Sequence, residues 1–375
     1  MTILHFSDTH LGFQAFDVVN AEGVNAREQD VYDAFRAIID RILDCKPDAV
    51  IHSGDFFHRP SPSNRALTFG LEQLRRVCDA GIPIFIIAGN HETPKTVYTS
   101  PILRAFRSLP GVHPFFGEQW EMAELDGLAI HGIPHINDLR LQRQELERLE
   151  PVTGCYNILM LHTSLGKRFL MEEYGEQVFP EEFTEKLAGF QYLALGHWHN
   201  SQKLNLHPNA WYCGSPERLS DTEIGAEKGF IHLNIAPDGS STTTFETIPT
   251  RPWLKLELND CQEKTIVDLM AELEEFRDNN QTKDAIISLI FNDIKMEQSL
   301  EISNIQLRNT FPDSFQLLPK RRTFTDRKFM HELDAQQFDR LDQIFIEYIR
   351  EKYTENPVQA DELARKAAHY FHQQS

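Results

Sequence analysis

The feature that most restricts the fold of this chain is a series of apolar runs, each followed by Asp, Asn or His. The clearest is Ile82 to Ala88, which predicts a strand buried on both faces and leads directly into Gly89-Asn90-His91. Open α/β sheets bind ligands at the carboxyl ends of their strands. Gly-Asn is also a common turn dipeptide, so this motif alone is weak evidence for a ligand site. The other apolar runs that end in the same way strengthen that evidence. We therefore expect a ligand site at one edge of a sheet.

Strands and helices alternate at the start of the chain. Apolar runs predict strands at 2–7, 49–53 and 82–88. Apolar positions with a 3.6-residue period predict two helices, one from Asp30 as its cap to about residue 43 and one at 64–79. Residues 13–29 are expected to form a loop. The β-α-β-α-β order predicts a layered α/β core with right-handed crossovers.

Beyond this core the pattern becomes richer in strands. Further strands are predicted at 128–133, 158–161, 192–195, 210–213, 230–235 and 242–248. A helix at 138–149 interrupts the series. We expect these strands to form a second sheet packed on the first.

A second unit is expected to begin near Pro249 and Pro252, where the composition changes. It predicts a small α+β domain, with strands at 253–258, 285–291 and 314–318 and helices at 265–277 and 297–307. A basic run at 320–328 and two helices, at about 334–352 and 357–371, complete the sequence. The expected domains are therefore 1–250, 251–325 and 326–375. An apolar stripe on a helix is more often part of the core than a partner site. A basic run is usually a solvated segment, but its position between the small domain and the C-terminal helices keeps a DNA role open.

Composition excludes several classes of protein. The net charge of −19 over 375 residues argues against indiscriminate nucleic-acid binding, so DNA contact would need a local basic patch, bound metal or a partner. The five cysteines are scattered without Cys-x-x-Cys spacing, which indicates reduced thiols and no zinc site. Apolar runs fall short of the roughly 18 residues of a membrane span, and the chain enters a strand without a signal peptide. We expect a cytoplasmic protein.

The residues at the predicted strand ends have the chemistry of metal ligands. They are Asp8, His10, Asp55, Asn90, His162, His197 and His199. A single buried histidine is more often structural than a ligand, but this whole set favours ligation. The set contains more ligands than one tetrahedral ion binds, and it suits two divalent ions about 3.5–4 Å apart.

Asp55 follows the middle of the first three predicted strands, so we expect it to bridge the two ions. Asp8, His10 and His199 would complete one ion, and Asn90, His162 and His197 the other. Two divalent ions against two carboxylates would leave a positive centre that attracts phosphate. A hydroxide bridging the ions would then be the nucleophile.

Two further histidines are candidate catalytic residues. His91 follows Asn90 and could protonate the leaving oxygen or stabilise charge on the phosphoryl oxygens. His58 lies three residues after Asp55 and could orient the substrate phosphate. Lys167 and Arg168 could contact a nucleic-acid backbone, although a solvated loop is the more common role. The remaining histidines near strands are expected to be structural: His5, His52, His131, His135 and His232.

With these residues, the chain resembles the calcineurin-like metallophosphoesterases and, within them, the SbcD-type subunit of a DNA double-strand-break repair nuclease. The resemblance lies in Asp8-Thr9-His10-Leu11-Gly12, Gly54-Asp55-Phe56-Phe57-His58, Gly89-Asn90-His91, His162 and Gly196-His197-Trp198-His199. It implies a two-sheet β-sandwich flanked by helices, in four layers αββα, followed by a small α+β capping domain and C-terminal helices.

The resemblance also implies a function. It implies a Mn²⁺-dependent DNA nuclease of repair and recombination, with 3′ to 5′ exonuclease and endonuclease activity and two divalent ions. The capping domain would touch DNA, and the C-terminal helices would bind an SbcC-like, SMC-type ATPase. A homodimer within a heterotetramer, associated with the nucleoid when on DNA, is implied as well.

One motif departs from the nuclease pattern. Glu92 stands where this group more often has Asp, and Gly-Asn-His-Glu also occurs in protein serine/threonine phosphatases, which place an arginine where Arg59 stands. The second Asp and final Gly of their Gly-Asp-x-x-Asp-Arg-Gly are missing here, since His58 and Pro60 take those positions. The alternatives are a stand-alone phosphomonoesterase or cyclic-nucleotide phosphodiesterase, and a scaffold for the ATPase with a vestigial site.

Overall fold

Two six-stranded sheets form the centre of residues 1–254 in the computed structural model, which describes residues 1–96, 98–166, 169, 178–323 and 363. The strands of the first sheet are β1 Thr2–Phe6, β2 Ala49–His52, β3 Ile84–Ile87, β4 Val112–Phe115, β11 Gly229–Ile235 and β12 Ser241–Thr247. Their order is β12-β11-β1-β2-β3-β4, with β1 to β4 parallel. The strand β2 therefore lies between β1 and β3.

The second sheet is also mixed. Its strands are β5 Glu121–Leu125, β6 Leu128–Ile133, β7 Tyr156–His162, β8 Tyr192–Gly196, β9 Gln202–Leu204 and β10 Ala210–Tyr212. Their order is β5-β6-β7-β8-β10-β9, and the four inner strands are parallel. Both sheets thus have a parallel centre, and their connections bring strand ends of the same polarity to one edge.

Helices cover the outer faces of both sheets. They are α1 Ala26–Cys45, α2 Asn64–Asp79, α3 Leu139–Arg148 and α4 Thr184–Leu187. Alternate residues of the central strands enter different apolar clusters: Ile86 packs with α1 and α2, while Phe85 packs between the sheets. In β7, Met160 faces the same space between the sheets and Leu161 faces α3. Burial on both faces explains the continuous apolar runs, and the predicted four-layer αββα fold is confirmed.

Some predicted boundaries are wrong. The helix α1 begins at Ala26 rather than at Asp30, because the side chain of Asn25 accepts hydrogen bonds from the backbone N–H groups of Arg27 and Glu28. Part of the predicted loop at 13–29 is therefore helix. The strands β4, β5 and β9 were not predicted. All three are edge strands. They are too short, or their side chains too mixed, to show a clear alternation of apolar and polar residues in the sequence.

The second unit begins at Lys255, inside the strand β13, and the described residues include a three-stranded sheet in the order β13-β14-β15. Its elements are β13 Trp253–Leu258, α5 Ile266–Asn279, β14 Ile286–Ile294, α6 Met296–Glu301, α7 Asn304–Thr310 and β15 Gln316–Thr323. The helix predicted at 297–307 is two helices, since Ser303 caps α7.

The basic run begins inside β15, as Lys320 to Arg322, where Lys320 and Arg322 are exposed to solvent as predicted. Residues 324–328 and, except for residue 363, the two C-terminal helices that the sequence predicts lie outside the described residues. The division into 251–325 and 326–375 therefore stays a prediction. Among the helices that the structure describes, none has the length and hydropathy that a bilayer crossing needs.

Candidate metal centre

The carboxyl ends of strands from both sheets meet at one edge, and every residue predicted as a ligand lies there. Asp8 and His10 follow β1, Asp55 follows β2, Asn90 follows β3, His162 ends β7, and His197 and His199 follow β8. Because β2 lies between β1 and β3, Asp55 holds the central position in the first sheet. The fold thus gathers residues that are far apart in sequence.

The backbone at this edge is conformationally unusual. Asp8, His10, Asp55 and His197 all have positive φ, at 53°, 49°, 56° and 96°. Such conformations cost about 1–3 kcal/mol each and concentrate at functional sites. Close packing is needed as well, since a Cβ added to Gly89 would collide with the carboxylate of Asp55. The Gly before Asn90 is therefore a steric requirement of the site.

Lone pairs converge around the carboxylate of Asp55. Its Oδ2 lies 3.2 Å from His162 Nε2 and 3.6 Å from His10 Nε2. The Oδ1 of Asn90 lies 3.0 Å from the same His162 Nε2. The ring of His162 donates from Nδ1 to the Ser53 carbonyl oxygen at 2.9 Å, so in its neutral form the ring presents a bare Nε2 to two oxygens. In that form the three acceptors suit a metal cation among them.

A second group of candidate ligands, which consists of Asp8, His10 and His199, lies beside this first group around Asp55. His10 Nε2 is 3.2 Å from His199 Nε2, and Asp8 offers a carboxylate oxygen within 4.8 Å of both rings. Asp8 also accepts a hydrogen bond from the backbone N–H of His197 at 2.9 Å, while the ring of His197 lies 5.4 Å from that of His162. Carboxylate, imidazole and amide donors in this number fit two divalent ions.

The electrostatics favour positive charge at Asp55. Burial alone would raise the pKa of this carboxyl, but the surrounding imidazoles, with His162 foremost, hold the pKa well below its usual value. Burial would likewise lower the pKa of His162, and Asp55 raises it to about 10. The pKa of His10 is lowered well below normal by burial and then by His91. The Asp55 carboxylate thus favours positive charge on its neighbours, whereas burial disfavours a proton on His10.

The two predicted catalytic histidines lie on the exposed side of this cluster. The backbone N–H of His91 donates to Asp55 Oδ1 at 2.9 Å, and its Nδ1 donates to the carbonyl oxygen of His58 at 3.0 Å. The Nδ1 of His58 is 3.3 Å from Nδ1 of His10. Ring nitrogens of His10, His58 and His91 lie within 4.8 Å of one another, so the same geometry could also admit ligation by these rings.

Comparison with known proteins identifies the family. Residues 1–201 match the family model for calcineurin-like phosphoesterases. The chain belongs to this family. It is 30% identical over 325 residues to the DNA double-strand break repair protein Mre11 of Sulfurisphaera tokodaii, covering 82% of this chain and 78% of that protein. The protein of the same name from Sulfolobus acidocaldarius is 30% identical over 287 residues, covering 73% and 71%.

Membership in the calcineurin-like phosphoesterase family confirms the resemblance inferred from the motifs, and it makes the chain a metal-dependent hydrolase of phosphate esters. The matched region contains every predicted ligand.

One buried carboxyl next to the phosphoesterase site was not recognised from the sequence. Glu92 is 1% exposed, and its Oε1 accepts a hydrogen bond from the backbone N–H of Phe56 at 2.8 Å. Burial and then the nearby Asp55 raise the pKa of Glu92 well above its usual value. Glu92 therefore fixes the backbone that follows Asp55. Its place next to His91 in the sequence was the available signal.

The histidines expected to be structural are found in the following places. His5 bonds Tyr192 and Ser53, and His52 bonds Thr9; burial lowers the pKa of both rings to about 3. The ring of His131 bonds Asn157 and the ring of His232 bonds Glu246, while the backbone N–H of His135 donates to the carbonyl oxygen of Ala88. Lys167 and Arg168 lie outside the described residues.

Proposed function

We propose that this chain is a Mn²⁺-dependent DNA nuclease with 3′ to 5′ exonuclease and endonuclease activity, the nuclease subunit of an SbcCD-like complex that processes DNA ends. The observation that carries the proposal is the convergence of carboxylate, amide and imidazole donors around Asp55. Similarity to proteins named for DNA double-strand break repair, along most of this chain, favours DNA as the phosphoester.

Two groups of ligands would hold the ions. Asp8, His10 and His199 form one, Asn90, His162 and His197 form the other, and Asp55 lies between them. Bound divalent ions would supply positive charge to the phosphoryl oxygens and lower the pKa of the attacking water. The mixed oxygen and nitrogen donor set accepts manganese, iron or zinc according to supply, and Mn²⁺ is the ion that the family resemblance implies.

His91 would carry the proton for the leaving oxygen. Its Nδ1–H donates to the carbonyl oxygen of His58, which fixes the tautomer and leaves Nε2 as the atom that takes up and delivers a proton. The side chain is 30% exposed, so a substrate can reach it. Its backbone bond to Asp55 holds it beside the ligand cluster.

His58 would orient the phosphate as a neutral donor. Burial, followed by the effect of His91, lowers the pKa of His58 to about 4, so its ring is uncharged at neutral pH. The ring packs edge-on against Phe13 with 5.2 Å between centroids, and this contact limits its rotation. A neutral, oriented imidazole can donate one hydrogen bond to a phosphoryl oxygen.

An assay with two substrates tests the nuclease proposal. We expect purified protein with MnCl₂ to degrade a labelled DNA duplex from its 3′ ends and to cleave single-stranded DNA, with both activities lost in excess chelator. A chromogenic phosphomonoester and a cyclic nucleotide serve as competing substrates. Cleavage of only these small esters would contradict the nuclease and favour a stand-alone phosphomonoesterase or cyclic-nucleotide phosphodiesterase.

Basic side chains of the second unit would contact the DNA backbone. Lys320 and Arg322 are exposed and alternate along β15, so both lie on one face of the strand. In a chain of net charge −19, such a local patch is one way to bind a polyanion. A salt titration of duplex binding tests this patch. Replacing both Lys320 and Arg322 by Gln should reduce the slope of log binding constant against log salt concentration by about 2. An unchanged slope would exclude this patch.

The C-terminal segment 326–375 would bind the SMC-type ATPase, and the protein would act as a homodimer within that complex. This part of the proposal rests on the family resemblance and on the apolar repeat Phe338, Leu341, Ile344, Phe345, Tyr348 and Ile349. Deleting residues 330–375 should abolish co-purification with the ATPase and spare Mn²⁺-dependent hydrolysis of a small ester. An insoluble truncated protein would instead assign the repeat to the core.

A further inference from the structure

A buried glutamate lies directly behind one of the candidate ligands. Glu223 is 1% exposed, and its Oε1 lies 3.1 Å from Nδ1 of His199. The opposite nitrogen of that ring, Nε2, is 3.2 Å from Nε2 of His10 and faces the ligand cluster. The ring is therefore held between a carboxylate and the centre, with Nδ1 as donor and Nε2 presenting its lone pair.

A buried lysine holds the glutamate in place. Lys228 is 2% exposed, and its ammonium group pairs with Oε2 of Glu223. The same ammonium donates to the backbone carbonyl oxygen of His199 at 2.8 Å. The pair thus fixes both the ring and the main chain of His199. This arrangement is expensive to bury, since each charge depends on the other for compensation.

Further hydrogen bonds restrict the carboxylate of Glu223. Its Oε1 accepts from the backbone N–H of Leu219 at 3.2 Å, and its Oε2 lies 2.9 Å from the hydroxyl of Ser215. Both oxygens therefore have partners besides His199 and Lys228. A carboxylate with this many fixed donors has little freedom to rotate, so it can set the orientation of the ring it contacts.

In the other ligand group, the imidazole of His162 has a neutral oxygen behind it instead of a carboxylate. There, Nδ1 of His162 donates to the neutral carbonyl oxygen of Ser53 at 2.9 Å. A carboxylate behind a ligating imidazole fixes its tautomer and raises the basicity of the opposite nitrogen more than a carbonyl does. His199 and His162 therefore differ in how strongly the protein supports the ring.

We propose that Glu223, anchored by Lys228, is a positioning residue that orients His199 and strengthens metal binding in the group of Asp8, His10 and His199. The inference rests on the proposed metal-dependent function and adds a residue outside the ligand set to it. Loss of the Glu223 charge should weaken one of two Mn²⁺-binding events by about 10–100-fold.

Calorimetric titration of the full-length protein with MnCl₂ tests this inference. Glu223→Gln keeps the shape of the side chain and removes its charge, so it should show the weakened event. The matched control is Glu145→Gln, because Glu145 is also buried, at 4% exposure, and is paired with Arg148 on the helix α3. It should leave both binding events within about twofold of the wild type. Thermal unfolding without metal checks that each variant is folded.

Two double variants separate positioning from mere charge compensation. Glu223→Gln with Lys228→Met removes the whole buried pair, and Mn²⁺ binding should stay weakened. In a His199→Ala background, Glu223→Gln should cause no further loss, because its effect passes through His199. Restored Mn²⁺ binding in the variant with Glu223→Gln and Lys228→Met would overturn the proposal. A further loss of Mn²⁺ binding when Glu223→Gln is added to His199→Ala would also overturn it.

The titration also separates this inference from the proposed function. Wild-type-like binding of two Mn²⁺ ions by the Glu223→Gln variant would overturn the positioning role alone. Wild-type protein that takes up no Mn²⁺ would overturn both.

Discussion

Replacing Asp55 with Asn should reduce hydrolysis of every phosphoester by about 10³-fold or more and weaken the binding of both metal ions. The carboxylate oxygen Oδ2 lies 3.2 Å from His162 and 3.6 Å from His10, one from each ligand group. An amide keeps the shape but loses the charge that would join the two ions, at a cost of several kcal/mol in the transition state. Mn²⁺ titration and kcat/KM for a small ester measure the two effects.

Backbone strain does not confound this substitution. Asp55 has a φ of 56°, and Asn tolerates this left-handed conformation as well as Asp does. Asp293 provides a matched control, since it is 5% exposed, also has a φ of 56° and belongs to the second unit. Asp293→Asn should leave Mn²⁺ binding and small-ester hydrolysis unchanged. An Asp55→Asn variant that binds two ions and cleaves within about tenfold of the wild type would remove Asp55 from the centre.

The central strands could be predicted because each is buried on two sides. In β2, Val50 packs under the helices and Ile51 packs between the sheets, so both faces select apolar residues and the run stands out in the sequence. Edge strands have no such requirement. Among the described strands, β5 pairs only with β6 and has no buried residue, so its Glu-Met-Ala-Glu-Leu sequence gives no clear signal. Its place follows from tertiary pairing.

The ligand residues could be predicted for a related reason. Parallel strands end at a common edge, so polar residues that directly follow apolar runs, such as Asp8 and Asn90, meet in space. Residues that support the ligands have no comparable position rule. Glu223 lies 24 residues after His199 in the sequence, and only the folding of the intervening chain brings its carboxylate to the ring of His199. Lys228 is equally hidden, since a buried ion pair has no local sequence pattern.

Replacing His91 with Asn should lower kcat for DNA cleavage by about 10²–10⁴-fold and leave Mn²⁺ binding unchanged. The amide nitrogen of Asn can take the place of Nδ1 and keep the hydrogen bond to the carbonyl oxygen of His58, which now lies 3.0 Å from Nδ1. The backbone bond to Asp55 is independent of the side chain. The substitution therefore removes little besides Nε2, the atom assigned to proton delivery.

The leaving group decides which role His91 has. A nitrophenolate ion leaves without a proton, whereas the sugar alkoxide of DNA needs one, so an acid at Nε2 matters far more for DNA. We expect the loss of kcat in His91→Asn to be much smaller with a nitrophenyl diester than with a DNA duplex. Equal losses on both substrates would assign His91 to stabilising charge on the phosphoryl oxygens. Loss of a Mn²⁺-binding event would instead make His91 a ligand, as its closeness to His10 and His58 also permits.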